Sequence, residues 1–188
     1  MVGPAFELPP PMKTYLLYGF LAALAGFLLQ LVLFIAGLQS DPAKLTMGQS
    51  IGTVLGLVIA IAFLVLAIRA RRSQVPASEE FGYGAAFGAG FGTQCFASLF
   101  SIATSYCYVT VINPHLSEII LRAQADKLAA RGLSSDQIEQ IQRMAGFMTS
   151  PAMLAATSFI GSLIVGTIIA LVAAIFLKRA SVRDPLAI

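Results

Sequence analysis

The chain has 188 residues, 57% of them hydrophobic and only 11% charged, with twelve basic and nine acidic side chains for a formal net charge of +3. Ordinary soluble domains carry about 25% charged residues, and here the charges fall almost wholly between four uncharged blocks at 14–40, 45–68, 81–114 and 144–177. Since a bilayer core of about 30 Å needs roughly 20 apolar helical residues, this excludes a water-soluble globule, and the lack of a basic stripe with interleaved aromatics excludes nucleic acid as a partner.

The length fits one membrane domain over 1–188, with a lipid bilayer as its first partner. The fold class read from the blocks is an all-α membrane protein. It is expected to be an antiparallel bundle of four transmembrane helices, with an extracytoplasmic amphipathic helical hairpin between the third and fourth. Residues 1–12 are a proline-rich lead, expected to be disordered or surface-lying. No small-x-small cleavage site follows the first block, which is longer than a signal-peptide core, so it reads as a retained helix.

The first span is predicted at 15–37, closed by the turn signal Asp41-Pro42. The second, at 48–70, ends among Arg69, Arg71 and Arg72, and a linker with Ser73, Pro76, Ser78, Glu79 and Glu80 follows. The third, at 81–112, is longer than one crossing requires, so it tilts or starts in the headgroup layer. Asn113-Pro114 ends it, because the residue before a proline avoids helical angles.

The hairpin occupies 114–149. Asn113 is expected to cap its first helix, with Pro114 at the first helical position. Glu118, Arg122 and Asp126 fall four apart and predict a stack of ion pairs. Gly132 suits a left-handed helix end. Ser134 and Gln137 have capping-box spacing, with Leu133 and Ile138 as the hydrophobic staple. Ile138, Ile141, Ala145 and Met148 then form an apolar stripe beside the pair Glu139 and Arg143. With Phe147, that stripe can lie on the outer leaflet, grip a partner or fold back over its own helices. Its balanced charges make it a moderate membrane-surface helix. Ser150-Pro151 opens the fourth span at 152–177, and Lys178, Arg179 and Arg183 follow.

Basic residues set the orientation. With both termini cytoplasmic, Lys13, Arg69, Arg71, Arg72, Lys178, Arg179 and Arg183 cluster inside against helix ends. Lys44, Arg122, Lys127, Arg131 and Arg143 lie outside, largely offset by Glu118, Asp126, Asp136 and Glu139. Tyr15, Tyr18 and Tyr83 fall at the inner boundary and Tyr106 and Tyr108 at the outer, where amphipathic rings prefer to sit.

Small residues four apart mark helix packing faces, because lipid gives helices no hydrophobic reason to associate. The second span has Gly48, Gly52 and Gly56, and the third has Gly84, Gly88 and Gly92, with Gly82 and Gly90 added. The fourth has Ser158, Ser162, Gly166 and Ala170, and the first has Gly19, Ala22, Ala23 and Gly26. These faces serve the bundle itself, or leave one free for a homodimer or a partner membrane helix. Gln30 and Gln94 are the strongest polar groups within the spans. By depth they belong to opposite halves and are not expected to meet as one site. Ser98, Ser101, Thr104 and Ser105 can bond back to their own helix carbonyls.

Cys95 and Cys107 are twelve residues apart on one helix, about 18 Å and beyond disulfide reach. His115, the sole histidine, has no second ligand nearby, so no metal is expected. No cofactor is expected either. No charge lies mid-span, where ion-coupled carriers need one. No hydrolase, metalloprotease or phosphate-loop motif is present, and no enzyme is predicted. The leading expectation is a non-enzymatic scaffold or accessory component associating through its small-residue faces. The alternative is a small-molecule transporter or channel subunit acting as an oligomer, lined by Gln94, Ser98, Ser101 and Ser105.

The start of the third span (Phe81, Gly82, Ala85, Phe87) and Asn113-Pro114 belong to a wider pattern. It continues through Gly132-Leu133-Ser134, Gln137-Ile138-Glu139, Phe147-Met148 and Ser150-Pro151 to Gly166 and the basic end. Over roughly 13–179 this resembles the bacterial four-span membrane proteins of the DUF4199 family. The proline-rich lead and a less acidic loop depart from the pattern. The resemblance implies a bacterial inner-membrane location and a shared architecture. It implies no activity and carries over no functional residue.

Overall fold

Prolines and left-handed glycines set where helices start and stop in the computed structural model, which describes residues 9–181. Proline needs no N–H partner in the first helical turn. The first helix, α1 (Pro10–Ile35), starts on a proline. So does α2 (Pro42–Ser73), where the Asp41 carboxylate also accepts from Ala43 N at 2.9 Å. Both begin earlier than the predicted 15 and 48, because hydropathy marks the oily part of a helix rather than its first turn. The lead is thus helical from Pro10. Residues 1–8 and Arg183 lie outside the described residues.

α1 ends on Gly37 at φ +72, with Gly37 N bonding Phe34 O and Leu38 N bonding Leu33 O. That double bond is the Schellman closure, and it needs a residue without a Cβ penalty at positive φ. The same closure recurs at Gly132, φ +84, between α4 (Leu116–Ala130) and α5 (Ser135–Met148). Ser134 and Gln137 then form the predicted capping box.

α3 (Tyr83–Cys107) runs into a π turn at Tyr108–Ile112, where Asn113 N bonds Tyr108 O at 2.8 Å. Here the structure departs from expectation. Asn113 does not cap α4, whose N-cap is His115. Its amide instead donates to Gln39 O at 3.0 Å, holding the α1–α2 turn against the end of α3. Nor does the predicted ion-pair stack form among the described residues. Glu118 faces His115 at 3.5 Å, leaving Arg122 and Asp126 unpaired with it, while Arg143 does reach Glu139 at 2.6 Å. The last helix, α6 (Pro151–Leu177), starts at Pro151 after Ser150.

Among the described residues the structure is six α-helices and one isolated bridge, with no β-strand. Four helical segments are long and apolar enough to cross a membrane: α1, α2, α3 with its π turn, and α6. α3 is the hub, packing on α1, α2 and α6.

At one end the packing is tight. Ile68, Phe81, Ala86, Ala89, Ala174 and Leu177 form a buried cluster. Small side chains let the helices approach: a Cβ on Gly90 would sit 2.9 Å from Ala170 Cβ. Phe81 and Arg179 exchange two backbone hydrogen bonds of 2.9 and 2.8 Å. The Arg179 guanidinium donates to Val75 O and Pro76 O, and Arg72 reaches Leu177 O at 3.4 Å. Cations on the carbonyls at helix C-termini are favourably placed. The basic clasp therefore ties α2 and α6 together here.

At the other end Leu45 of α2 packs on Ile119 and Ala123 of α4. Ser117 bonds Thr149 and Gln142 bonds Leu121 O, closing α4 and α5 on each other. α5 buries nothing: Met144 is 75% and Phe147 68% exposed. Of its stripe, Ile138 and Ala145 are half-buried, and Ile141 and Met148 are exposed.

Candidate functional site

α2 and α6 are joined at the clasp but not beyond it. Towards the α4–α5 end, Thr53 and Leu57 on α2 and Thr157, Ser158 and Val165 on α6 are exposed, although they line one cavity. That cavity has a volume of about 960 Å³. α1 and α3 supply its back wall through Ala23, Gly26, Phe27, Thr93 and Ala97. Ligand sites typically span about 300–1,000 Å³, so this space is large for a chain of this size.

The small-residue faces divide into three uses. Some are consumed by packing: a Cβ on Gly48 would overlap the Leu38 carbonyl, and one on Gly52 would lie 3.1 Å from Leu33 Cδ1. One on Gly92 would lie 2.9 Å from the Tyr15 ring, and one on Gly166 would overlap the Gln94 side chain. Others face the cavity. A Cβ on Gly26, Gly56 or Gly161 meets nothing within 4 Å, and all three glycines line the space. A third set, Gly84 and Gly88, is also open but lies outside the cavity lining, on the exposed surface of α3.

Gln94 forms the cavity floor. Its amide nitrogen donates to Ser98 Oγ at 3.0 Å, Ser162 Oγ at 2.8 Å and Ser162 O at 2.9 Å, and the two serine hydroxyls lie 3.1 Å apart. Gly166 makes room for this side chain, so Ser162 and Gly166, one turn apart, serve Gln94 together. Gln94 and Ser98 are buried. No described residue donates to Gln94 Oε1, whose residue lines the cavity.

A second polar chain closes the opposite end. Gln39 Nε2 donates to Gln30 Oε1 at 2.7 Å, and Tyr108 OH donates to Gln39 Oε1. Asn113 Nδ2 lies 3.5 Å from Tyr108 OH. Gln30 and Gln94 do not touch, as their depths implied, yet both line one chamber. Depth along a helix carries no information about rotation around it. Gln39, Gln49 and Thr53 also line the space, and sequence reading had singled out none of them. The one available signal was Gln49 between Gly48 and Gly52, an amide on a small-residue face.

Several hydroxyls are spent on their own helices: Thr53 on Gln49 O, Ser101 on Ser98 O, Thr104 on Phe100 O and Thr157 on Met153 O. Among the described residues lining the cavity there is no Asp, Glu, Lys, Arg or His. Its chemistry is that of amides and hydroxyls on an apolar wall, which can bind and orient a molecule. His115 is exposed and outside it, Cys107 is exposed and Cys95 partly buried. No group of three metal-ligating side chains occurs among the described residues.

A family model described as "Protein of unknown function (DUF4199)" matches residues 17–179. No curated protein and no solved structure matches the chain.

Proposed function

The chain belongs to the DUF4199 family, whose description assigns no activity, and we propose that this member is a non-enzymatic membrane protein that binds a lipid-like molecule in its interhelical cavity. The observation that carries this reading is the large uncharged space between α2 and α6, open on the side where both helices are exposed. A lateral opening in a multi-pass protein faces the bilayer, so an apolar molecule enters without crossing water. We place it in a bacterial inner membrane, as the family resemblance implies, and the clustering of Arg69, Arg71, Arg72, Lys178 and Arg179 at the clasp end supports cytoplasmic termini. The α4–α5 hairpin is then extracytoplasmic, in an antiparallel four-span bundle, and the cavity lies in the outer half. Handing such a molecule to another protein, or across the membrane, is the role this geometry serves.

The test is mass spectrometry of the purified chain, released from gently solubilised membranes. A co-purifying apolar species is expected with the native chain and lost with Gly161→Phe, which fills the cavity at a position where a Cβ meets nothing within 4 Å. No species above the detergent background for the native chain contradicts the proposal.

A second reading, lateral association with another copy or a partner helix, is favoured by Gly84 and Gly88 alone. The remaining packing glycines are occupied inside the molecule or open to the cavity. Gly88→Cys, in a chain with Cys95 and Cys107 replaced by Ala, is expected to crosslink in native membranes under this reading. A chain that stays uncrosslinked counts against it.

A further inference from the structure

The cavity floor holds a hydrogen-bond acceptor that the chain itself leaves unused. Gln94 is 5% exposed, and one contact fixes which way its amide is turned. Ser162 O, a backbone carbonyl, can only accept, so the amide atom 2.9 Å from it is the nitrogen. Oε1 therefore faces away from that carbonyl, beside Gly166, which has no side chain to meet it. The threonines next to this pair in sequence are engaged elsewhere: Thr93 donates to Ala89 O at 2.9 Å and Thr167 to Leu163 O at 2.6 Å. Among the described residues, the one fully enclosed side-chain polar atom without a partner is Arg179 Nε. Oε1 has no partner either, so it retains open surface, and the space that Gln94 and Gly166 both line is the cavity. Gln94 stands eleven residues from Tyr83 in a crossing that ends at Ile112. That is about 16 Å from the near end, well inside the span, where lipid offers no water to a free carbonyl. Ser98 and Ser162 add a donor beside it. Their hydroxyls share one hydrogen bond of 3.1 Å, which uses one of two protons, and no described residue accepts the other. Ser98 is fully buried and Ser162 half-buried on the cavity wall, so the spare proton is better placed on Ser162.

We infer that the chamber takes an uncharged, mostly apolar molecule bearing a hydroxyl, and that this hydroxyl donates to Gln94 Oε1 at the cavity floor. The inference rests on the binding role proposed above and names its ligand class. A hydroxyl both donates and accepts, so the same oxygen can take the spare proton of Ser162. An ether oxygen only accepts, and a hydrocarbon does neither. Each would cover Oε1 without bonding it, which is the costly state for a buried polar group. An ammonium group also donates, but no Asp or Glu lines the space to offset a buried cation.

The experiment uses the full chain in lipid nanodiscs, with three diazirine probes that share one alkyl chain and carry the photoreactive group next to the end that differs. One ends in a primary alcohol, one in its methyl ether and one in an ammonium group. The alcohol is expected to label about tenfold more than either of the others, equivalent to about 1.4 kcal/mol. Its adducts are expected on Thr93 and Ala97, which are buried and line the cavity. In Gln94→Leu the alcohol is expected to fall to the level of the ether while the ether is unchanged. A merely structural role for Gln94 would lower both together. The preference and the adduct positions are read in the native chain, so they decide the matter even where the variant does not fold. Equal labelling by alcohol and ether, the result if a water occupies Oε1, overturns the inference while leaving a binding chamber in place. So does preference for the ammonium, a preference that survives Gln94→Leu, or alcohol adducts at Thr53 and Ser105 instead of the floor. Failure of every probe to label above the Gly161→Phe background removes the binding role itself.

Discussion

Gly166 and Gln94 show how one residue decides the use of another. Any Cβ at Gly166 would overlap the Gln94 side chain, which is itself held by Ser98 and Ser162. Gly166→Ala is therefore expected to destabilise the protein by about 1–3 kcal/mol, the range for overpacking, read as a lower melting temperature in nanodiscs. Gly161→Ala faces open space and is expected to raise stability by up to about 1 kcal/mol, since glycine is unfavourable within a helix. Truncation to Gln94→Ala should relieve most of the Gly166→Ala cost, a coupling that a double-mutant cycle measures. Additive effects in that cycle would mean the two residues do not share one space. Gln94 stood out in the sequence as a polar group inside a span, but its partners did not. Spacing places Ser98 one turn above it on its own helix, whereas Ser162 is reached only through the rotation of α6.

Local rules predicted helix ends well where the determinants lie within a few residues. The Gly132 closure and the Ser134–Gln137 box are of this kind, because both are made by the chain with itself. The Asn113 reading failed for the complementary reason: its partner, Gln39 O, lies 74 residues away in sequence. The hairpin's second helix adds a testable element. α5 leaves Met144, Phe147 and Met148 exposed, and an amphipathic helix beside spanning helices finds its natural cover in the headgroup layer. The chain has no tryptophan, so Phe147→Trp provides a sole reporter. Its emission is expected to be blue-shifted in liposomes and quenched by lipids brominated near the headgroup. Solvent-like, unquenched emission would place α5 off the membrane.

The four apolar helices were legible because a bilayer imposes a length and a composition that nothing else in this chain imitates. The cavity was not, since it exists only where α2 and α6 fail to meet, and the sequence records small residues alike whether they face a helix or a void. Gly48 and Gly56 belong to one spacing pattern, yet the first is packed against Leu38 and the second opens on empty space. The clasp explains the difference along α2: Arg72, Ile68 and Phe81 pin its last turns to α6, while its first turns are held by α4 through Leu45. Between those two anchors the helices are free to stand apart. What remains is an uncharged chamber of about 960 Å³ within a multi-pass protein, and its occupation is the central claim.

Photocrosslinking in native membranes tests that claim most directly, with a photoreactive residue placed at Leu57 on the cavity wall or at Ile61, which is exposed on α2 but not part of the lining. At Leu57 the adducts are expected to be dominated by one uncharged species, and at Ile61 by the phospholipids of the surrounding bilayer. The same phospholipid mixture at both positions would show the space to be ordinary membrane, and would contradict the account.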